Sequence, residues 1–377
     1  MPGPLRILHF ADTPRRGGAE GILLRNVEAQ VAAGHDVEVL TAQPWMADEV
    51  RATVPGARAS TVGDERFRAA DGVQRRLRVL AQLPALVRAL RARRPDVLHV
   101  NNGGYPGSDL GRLIVLAARA ARVPRVVMTV HAVPQPRAAE PPGAAQIDRA
   151  VWACVHVTIG ATRAVEHALT GDRSMPPERF RLVPYGVRDP GGDAAGAAAL
   201  RSELGVAGGE LLAGMLSAAS DEQKGHHVLV AATAQAVGVR TALAGAPPPA
   251  EAGAVGAAGV AVLGRVDDVG TFLKACDVLV VPSVRDESLP LVVLEAMAAA
   301  RPVIASRLSG IPEAVEDGVT GRLLAPGDAG ALAATLTELA GGDRSVLAAW
   351  GAAGRARWEQ RFSLDAMTSA TLAAYGA

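Results

Sequence analysis

Aromatic residues and cysteines are scarce in this 377-residue chain: 3% of residues are Phe, Trp or Tyr, and the only cysteines are Cys154 and Cys276. Few aromatics and no recognisable nucleic-acid module argue against a base-stacking surface, so no nucleic-acid partner is expected. Two cysteines, each in an apolar stretch, exclude a disulfide framework and read as small core residues. No run approaches the roughly 18 apolar residues of a membrane span. The start, MPGPLRILHFADTP, lacks a charged-then-apolar leader, so a cytoplasmic protein is expected. Several chemistries lack their signatures. There is no Walker A loop, HExxH or CxxC, and no Gly-x-Ser-x-Gly elbow. The missing GxGxxG fingerprint disfavours a dinucleotide oxidoreductase. The missing Asp-x-Asp pair gives no indication of a divalent ion clamping a diphosphate. Lysine is nearly absent too: Lys224 and Lys274 stand against 37 arginines.

What is present is globular in character, 49% hydrophobic and 20% charged. The net charge of +1 hides a split. Residues 1–188 carry 26 arginines and 17 acidic residues, a surplus of +9, and the remainder carries −8. Part of the surplus lies in Arg66, Arg68, Arg75, Arg76, Arg78, Arg88, Arg91, Arg93 and Arg94, across two helical stretches. Such a face suits peripheral contact with an anionic inner membrane face or an acidic acceptor. A solvated helix surface explains it equally well.

Short β-branched runs alternate with alanine-rich helical stretches, the pattern of α/β units around parallel sheets. Strands are expected at Arg6–Phe10, Asp36–Thr41, Asp96–Val100, Arg125–Val130, Val155–Ile159 and Arg181–Pro184. GVRDPGGDAAGAAA, residues 186–199, reads as a linker. Strands resume at Leu211–Ser217, Val239–Ala244, Val260–Leu263, Asp277–Pro282 and Pro302–Ser306. Two doubly wound domains with a cleft between them are expected, with ligands beyond the carboxyl ends of the strands.

Four constellations carry candidate chemistry. Glu287 and Glu295 flank a polar loop that leaves a strand and enters a helix near Pro290. Free N–H groups and the positive end of that helix can hold a diphosphate, and Glu295, further along the helix, can bind a ribose diol. RRGGAEG, Arg15–Gly21, follows the first strand; its glycines Gly17 and Gly18 let backbone approach a ligand. Lys224, in a glycine-flanked loop after a strand, suits a diphosphate oxygen, whereas Lys274 reads as a stray surface residue. His131, ending strand Arg125–Val130, can donate to a sugar hydroxyl or phosphate. His99, inside its strand, reads as structural.

The ordered set GGAE, QKGH, ESLPLVVLEAMAAARPVIAS and SGIPEAVEDGVTGRLLAPGD resembles the retaining glycosyltransferases of family 4, nearly end to end. The resemblance implies the GT-B fold, α/β with two Rossmann-like doubly wound domains facing a central cleft. It implies an acceptor-side domain at 1–188, joined by a C-terminal helix at about 358–377, and a nucleotide-sugar domain at 189–357. It implies retaining, metal-independent transfer from a nucleotide sugar, UDP-linked, with no cofactor beyond that donor. The acceptor, lipid-linked or a soluble small molecule, stays open. By resemblance, Glu295 binds ribose, Glu287 the transferred sugar, and backbone near Leu289, Leu291 and Val292 the sugar and diphosphate. Gly18 lets the loop close on the phosphates, Lys224 neutralises them and His131 reaches the reacting centre. Backbone near Arg265 and Val266 faces the base. Family members usually place an arginine about five residues before the lysine; Ala219 stands there instead. Arg285 or Arg265, or Ser217 and Ser220, are candidate substitutes. The same gap motivates the alternative of a non-catalytic nucleotide-sugar-binding paralogue.

Overall fold

The computed structural model describes residues 3–13, 17–63, 72–137, 143–217, 222–248, 251–285 and 288–376, the side chains at 73, 76, 252 and 254 excepted. It divides into two compact units, one of residues 1–184 and 364–377, the other of residues 185–363.

The first unit is built on β1 Arg6–Ala11, β2 Asp36–Thr41, β3 Arg58–Thr61, β4 Val97–Asn102, β5 Arg125–Val130, β6 Val157–Gly160 and β7 Phe180–Leu182. Their order is β3-β2-β1-β4-β5-β6-β7, every pairing parallel. The strands read as near-continuous apolar runs because helices cover both faces, and every residue of β4 is buried. The order reverses between β1 and β4, which makes that boundary the switch point where ligands of such sheets bind.

The second unit holds β8 Leu211–Ser217, β9 Val239–Gly245, β10 Ala261–Gly264, β11 Val278–Val281, β12 Val303–Ser306 and β13 Gly321–Leu324, in the order β10-β9-β8-β11-β12-β13. Its switch point lies between β8 and β11. Successive residues of β8 feed opposite faces, as the strand period of two requires. Leu211, Ala213 and Met215 enter one core cluster and Leu212 the other.

Two strands escape the sequence pattern. β3 (RAST) is a half-exposed edge strand without an apolar run, and β13 (GRLL) has only four residues. The expected linker is shorter than 186–199. Asp193 accepts from the backbone N–H groups of Ala195 and Gly196, and this cap starts a helix at Ala194. The boundaries also differ from 188/189 and about 358. The helix Ser345–Arg361 packs on the helix Leu291–Ala298 and on β13, so return to the first unit begins at Leu364. Lys274 is not a stray surface group: its Nζ donates to the Gly192 carbonyl at 2.6 Å, tying down the connecting segment. Cys276 is buried, which pushes its thiol up to about 12, and Cys154 is half-buried.

Candidate active site

In the second unit the chain leaving β8 and the chain leaving β11 meet at the switch point. Lys224 ends the short turn Glu222–Lys224, and Gly225 follows at φ 74°, capping the helix His226–Thr233. A Cβ on Gly225 would collide with the Pro282 carbonyl oxygen, so only glycine lets these two loops approach. The Val284 N–H donates to the Gln223 carbonyl at 2.8 Å and closes the contact. Arg285 reaches to 3.8 Å from Glu222, two residues before Lys224. The Lys224 loop is therefore laced to the loop that leads into the helix Leu291–Ala298.

That helix begins after Pro290, an extended N-cap with no side-chain cap, so the first-turn N–H groups of Leu291 and Val292 have no intrahelical acceptor. Leu289 is buried just before it. Glu295 lies one turn on from Leu291 on the same helix face, half-buried. The Lys224 loop thus touches the loop that runs on towards Leu289, Leu291, Val292 and Glu295, with Arg285 beside that contact. Arg265 and Val266 are elsewhere on the rim. They follow the edge strand β10, where the Arg265 side chain is 91% exposed and pairs with Asp267 at 3.0 Å, and Val266 packs on the core. Of the candidate phosphate cations, Arg285 is the one held next to the Lys224 loop. Glu287, Arg15, Arg16, Arg66, Arg68, Ala219 and Ser220 lie outside the described residues, and Ser217 is buried at the end of β8.

In the first unit the helix Gly18–Ala32 starts after Gly17, again without a side-chain cap. No described protein atom lies within 4 Å of where a Cβ on Gly18 would sit, and its φ is not in the left-handed region. Packing does not demand glycine there.

His131 follows β5. Its N–H donates to the Asn102 carbonyl at 3.0 Å, and the Ala132 N–H to the Gly103 carbonyl at 2.9 Å. The ends of β4 and β5 therefore form one rim. Burial lowers the His131 imidazole to about 4, so it is neutral near pH 7. It can share a hydrogen bond with a hydroxyl but offers no standing positive charge. Beneath it the loop is braced by the Gln135 carbonyl, which accepts from Arg173 Nε at 3.0 Å. Arg173 is itself buried against Asp148 at 3.5 Å.

A chain of buried hydrogen bonds underlies this rim. Asn101 Nδ2 lies 3.1 Å from His9 Nδ1, and His9 Nε2 lies 2.7 Å from Gln30 Oε1. Gln30 Nε2 donates to the Tyr375 hydroxyl at 3.0 Å. That hydroxyl is 2.6 Å from His99 Nδ1, and His99 Nε2 is 2.7 Å from Thr129 Oγ1. One assignment satisfies every link. Both histidines are neutral with the proton on Nε2, and the bonds run in one direction from Asn101 to Thr129. Burial is the main reason that His9 falls to about 4 and His99 falls well below its ordinary value.

Sequence motifs did not reveal Asn101, Asn102 or Tyr375. The available signal was the polar pair Asn101-Asn102 and the glycines Gly103-Gly104 that directly follow an apolar strand. Among the described residues no helix is long and apolar enough to cross a membrane.

Comparison with known proteins gives the family and the fold. Residues 17–186 match the Glycosyl transferase 4-like domain and residues 211–341 the Glycosyl transferases group 1 family. A D-inositol 3-phosphate glycosyltransferase of Actinosynnema mirum is 46% identical over 105 residues, 27% of this chain and 24% of that protein. The amylovoran biosynthesis glycosyltransferase AmsK of Erwinia amylovora is 38% identical over 102 residues, 26% of this chain and 25% of that protein. These alignments span about a quarter of each relative. Among solved structures, Anabaena Alr3699/HepE in complex with UDP superposes with a TM-score of 0.81 at 20% identity, covering 99% of this chain and 100% of that one. WaaG, a glycosyltransferase involved in lipopolysaccharide biosynthesis, gives 0.68 at 17% identity over 98% of each chain. At such identities the likeness establishes the fold.

Proposed function

Given that the chain belongs to the family 4 glycosyltransferases, we propose that it moves a sugar from a UDP-linked donor to an acceptor hydroxyl with retention and without a metal ion. The observation that carries this reading is the collision-limited contact of Gly225 with Pro282. It sets a lysine beside the loop entering an uncapped helix N-terminus that has a carboxylate one turn along. The N–H groups of Leu291 and Val292 and the Lys224 ammonium meet the diphosphate charge. Glu295 accepts from the ribose hydroxyls. Backbone at Arg265 and Val266 faces the base, Gly17 and Gly18 admit phosphate oxygens, and Glu287 and His131 contact the transferred sugar. The UDP and UDP-glucose bound by Alr3699/HepE support the choice of nucleotide.

In the reaction the acceptor oxygen bonds to the anomeric carbon as the bond from that carbon to the diphosphate oxygen breaks. The acceptor proton passes to the departing phosphate on the same face. Arg285, paired with Glu222, supplies the charge that other members place five residues before the lysine. Metal independence rests on the absence of an Asp-x-Asp pair from the sequence and on these cationic and N–H donors. A membrane partner is part of the reading as well. The helix Gly72–Leu80 exposes Leu77 and Leu80 at 63% and 56%, next to Arg75 and Arg78.

Titration calorimetry with UDP and UDP-sugars tests the donor site. Loss of the Lys224 ammonium or the Glu295 carboxylate removes a charge-assisted bond of about 1.5–3 kcal/mol. Lys224→Ala and Glu295→Gln are expected to weaken UDP binding roughly tenfold or more by the same estimate. Unchanged affinity in both variants would exclude this site.

A further inference from the structure

The loops that follow β4 and β5 stay paired beyond their strands. A third bond joins the two already described: the Gln135 N–H donates to the Tyr105 carbonyl at 3.0 Å. One buried charged group holds both loops at once. Asp148, on the helix Ala144–Cys154, is fully buried. Its Oδ1 accepts from the Tyr105 hydroxyl, on the first loop, at 2.9 Å. Its Oδ2 faces Arg173 Nη1 at 3.5 Å and accepts from Arg137 Nη2 at 3.3 Å. Arg173, also fully buried, grips the second loop by the Gln135 carbonyl, through Nε at 3.0 Å and Nη2 at 2.5 Å. The Tyr105 ring stacks on Trp152 at 4.7 Å, and the Trp152 indole N–H donates to the Arg173 carbonyl at 3.0 Å. A carboxylate, a guanidinium and a phenol form one strut under the rim that carries His131.

Stability is a poor reason for such a strut. Taking a carboxylate and a guanidinium out of water costs much of what their attraction returns, and apolar side chains of similar volume often serve a fold as well. What charged groups add is direction, because their hydrogen bonds fix angles as well as distances. Arg173 shows this in its bonding: its two shortest contacts go to a loop carbonyl rather than to the carboxylate. We propose that Asp148, acting through Tyr105 and Arg173, is a positioning residue that sets where His131 stands against the transferred sugar. The proposal rests on the glycosyl-transfer reading above. A reacting geometry displaced by about 1 Å can lose about a hundredfold in rate, so a support that never touches substrate can still govern turnover.

The test removes the charges and keeps the packing. A triple variant of the full chain, Tyr105→Phe with Asp148→Leu and Arg173→Met, replaces the strut by apolar groups; Arg137, 30% exposed, can turn to water. Four quantities are measured: stability in denaturant, UDP affinity by calorimetry, UDP release from a UDP-sugar, and amide hydrogen exchange at His131 and Ala132. The donor is whichever of UDP-glucose, UDP-galactose and UDP-N-acetylglucosamine the wild type turns over fastest. The triple variant is expected to keep wild-type stability and UDP affinity. At saturating donor it should release UDP about tenfold or more slowly, while the two amides exchange about tenfold faster. Tyr105→Phe alone, which removes one bond and keeps the stack on Trp152, should show both effects to a smaller degree, and it decides the matter if the triple variant does not fold. Turnover and amide protection equal to wild type in a folded variant overturn the proposal. So does a loss of turnover that only follows a loss of stability, or one with both amides still protected. A wild type that neither binds UDP nor releases it from any of the three donors would instead overturn the reading beneath, and the proposal with it.

Discussion

Gly225 and Pro282 touch through backbone, with no room for a side chain between them. Two loops that start from neighbouring parallel strands can share one ligand only if they come this close. Gly225 also sits at φ 74°, where an L side chain is strained by about 1 kcal/mol or more. Gly225→Ala therefore meets both strain and collision. It is expected to lower stability by about 2 kcal/mol or more and to weaken UDP binding as the Lys224 loop is pushed away. Denaturant unfolding and calorimetry measure the two effects.

Gly18 makes the opposite prediction. Its space is empty of described protein atoms, so alanine there costs the fold nothing and restricts the backbone of the unfolded chain. Gly18→Ala is expected to keep or slightly raise the melting temperature while lowering transfer. A melting temperature that falls together with activity would make this glycine structural.

Three neutral imidazoles set the acid limit of the first unit. His9 and His131 are held down to about 4 and His99 is also lowered, in each case chiefly by burial. Unfolded imidazoles titrate near about 6.5, so below that pH the unfolded chain binds protons that the folded chain refuses. Stability is full above about 6.5 and falls as pH drops, by up to about 1.4 kcal/mol per unit for each histidine, the His9 and His131 contributions levelling off below about 4. Equilibrium unfolding across that range checks the slope. Tyr375→Phe keeps the packing and removes the shared hydroxyl. It leaves Gln30 Nε2 and His99 Nδ1 without this partner, at an expected cost of about 1–3 kcal/mol.

Leu77 and Leu80 sit in water beside arginines. If they meet lipid, Leu77→Ser with Leu80→Ser should reduce co-sedimentation with phosphatidylserine vesicles severalfold and leave UDP affinity unchanged. Wild-type binding should weaken at high salt as surface charge is screened. Equal sedimentation with neutral and anionic vesicles would remove the arginines from the account.

The sequence exposes the parts whose physics is local. Apolar runs such as Val97–Val100 declare buried parallel strands, and the order of strand, loop and helix around Pro290 declares a helix start. What it hides depends on partners far along the chain. Arg58–Thr61 pairs as an edge strand only because Asp36–Thr41 lies alongside it. Lys274 resembles an idle surface cation until its contact with Gly192 is seen, 82 residues away. Asp12 is held by Ser108, 96 residues on. Ala194 begins a helix because Asp193 caps it, although the surrounding glycines and alanines read as a connector.

The Tyr375 hydroxyl is the middle link of a hydrogen-bond chain whose other members all lie at or before Thr129. During synthesis those members leave the ribosome first and wait with their polar groups unmatched until the codon for residue 375 has been read. The unit of residues 185–363 is synthesised in between. The part of the protein that is translated first thus receives one of its buried partners from beyond the second unit.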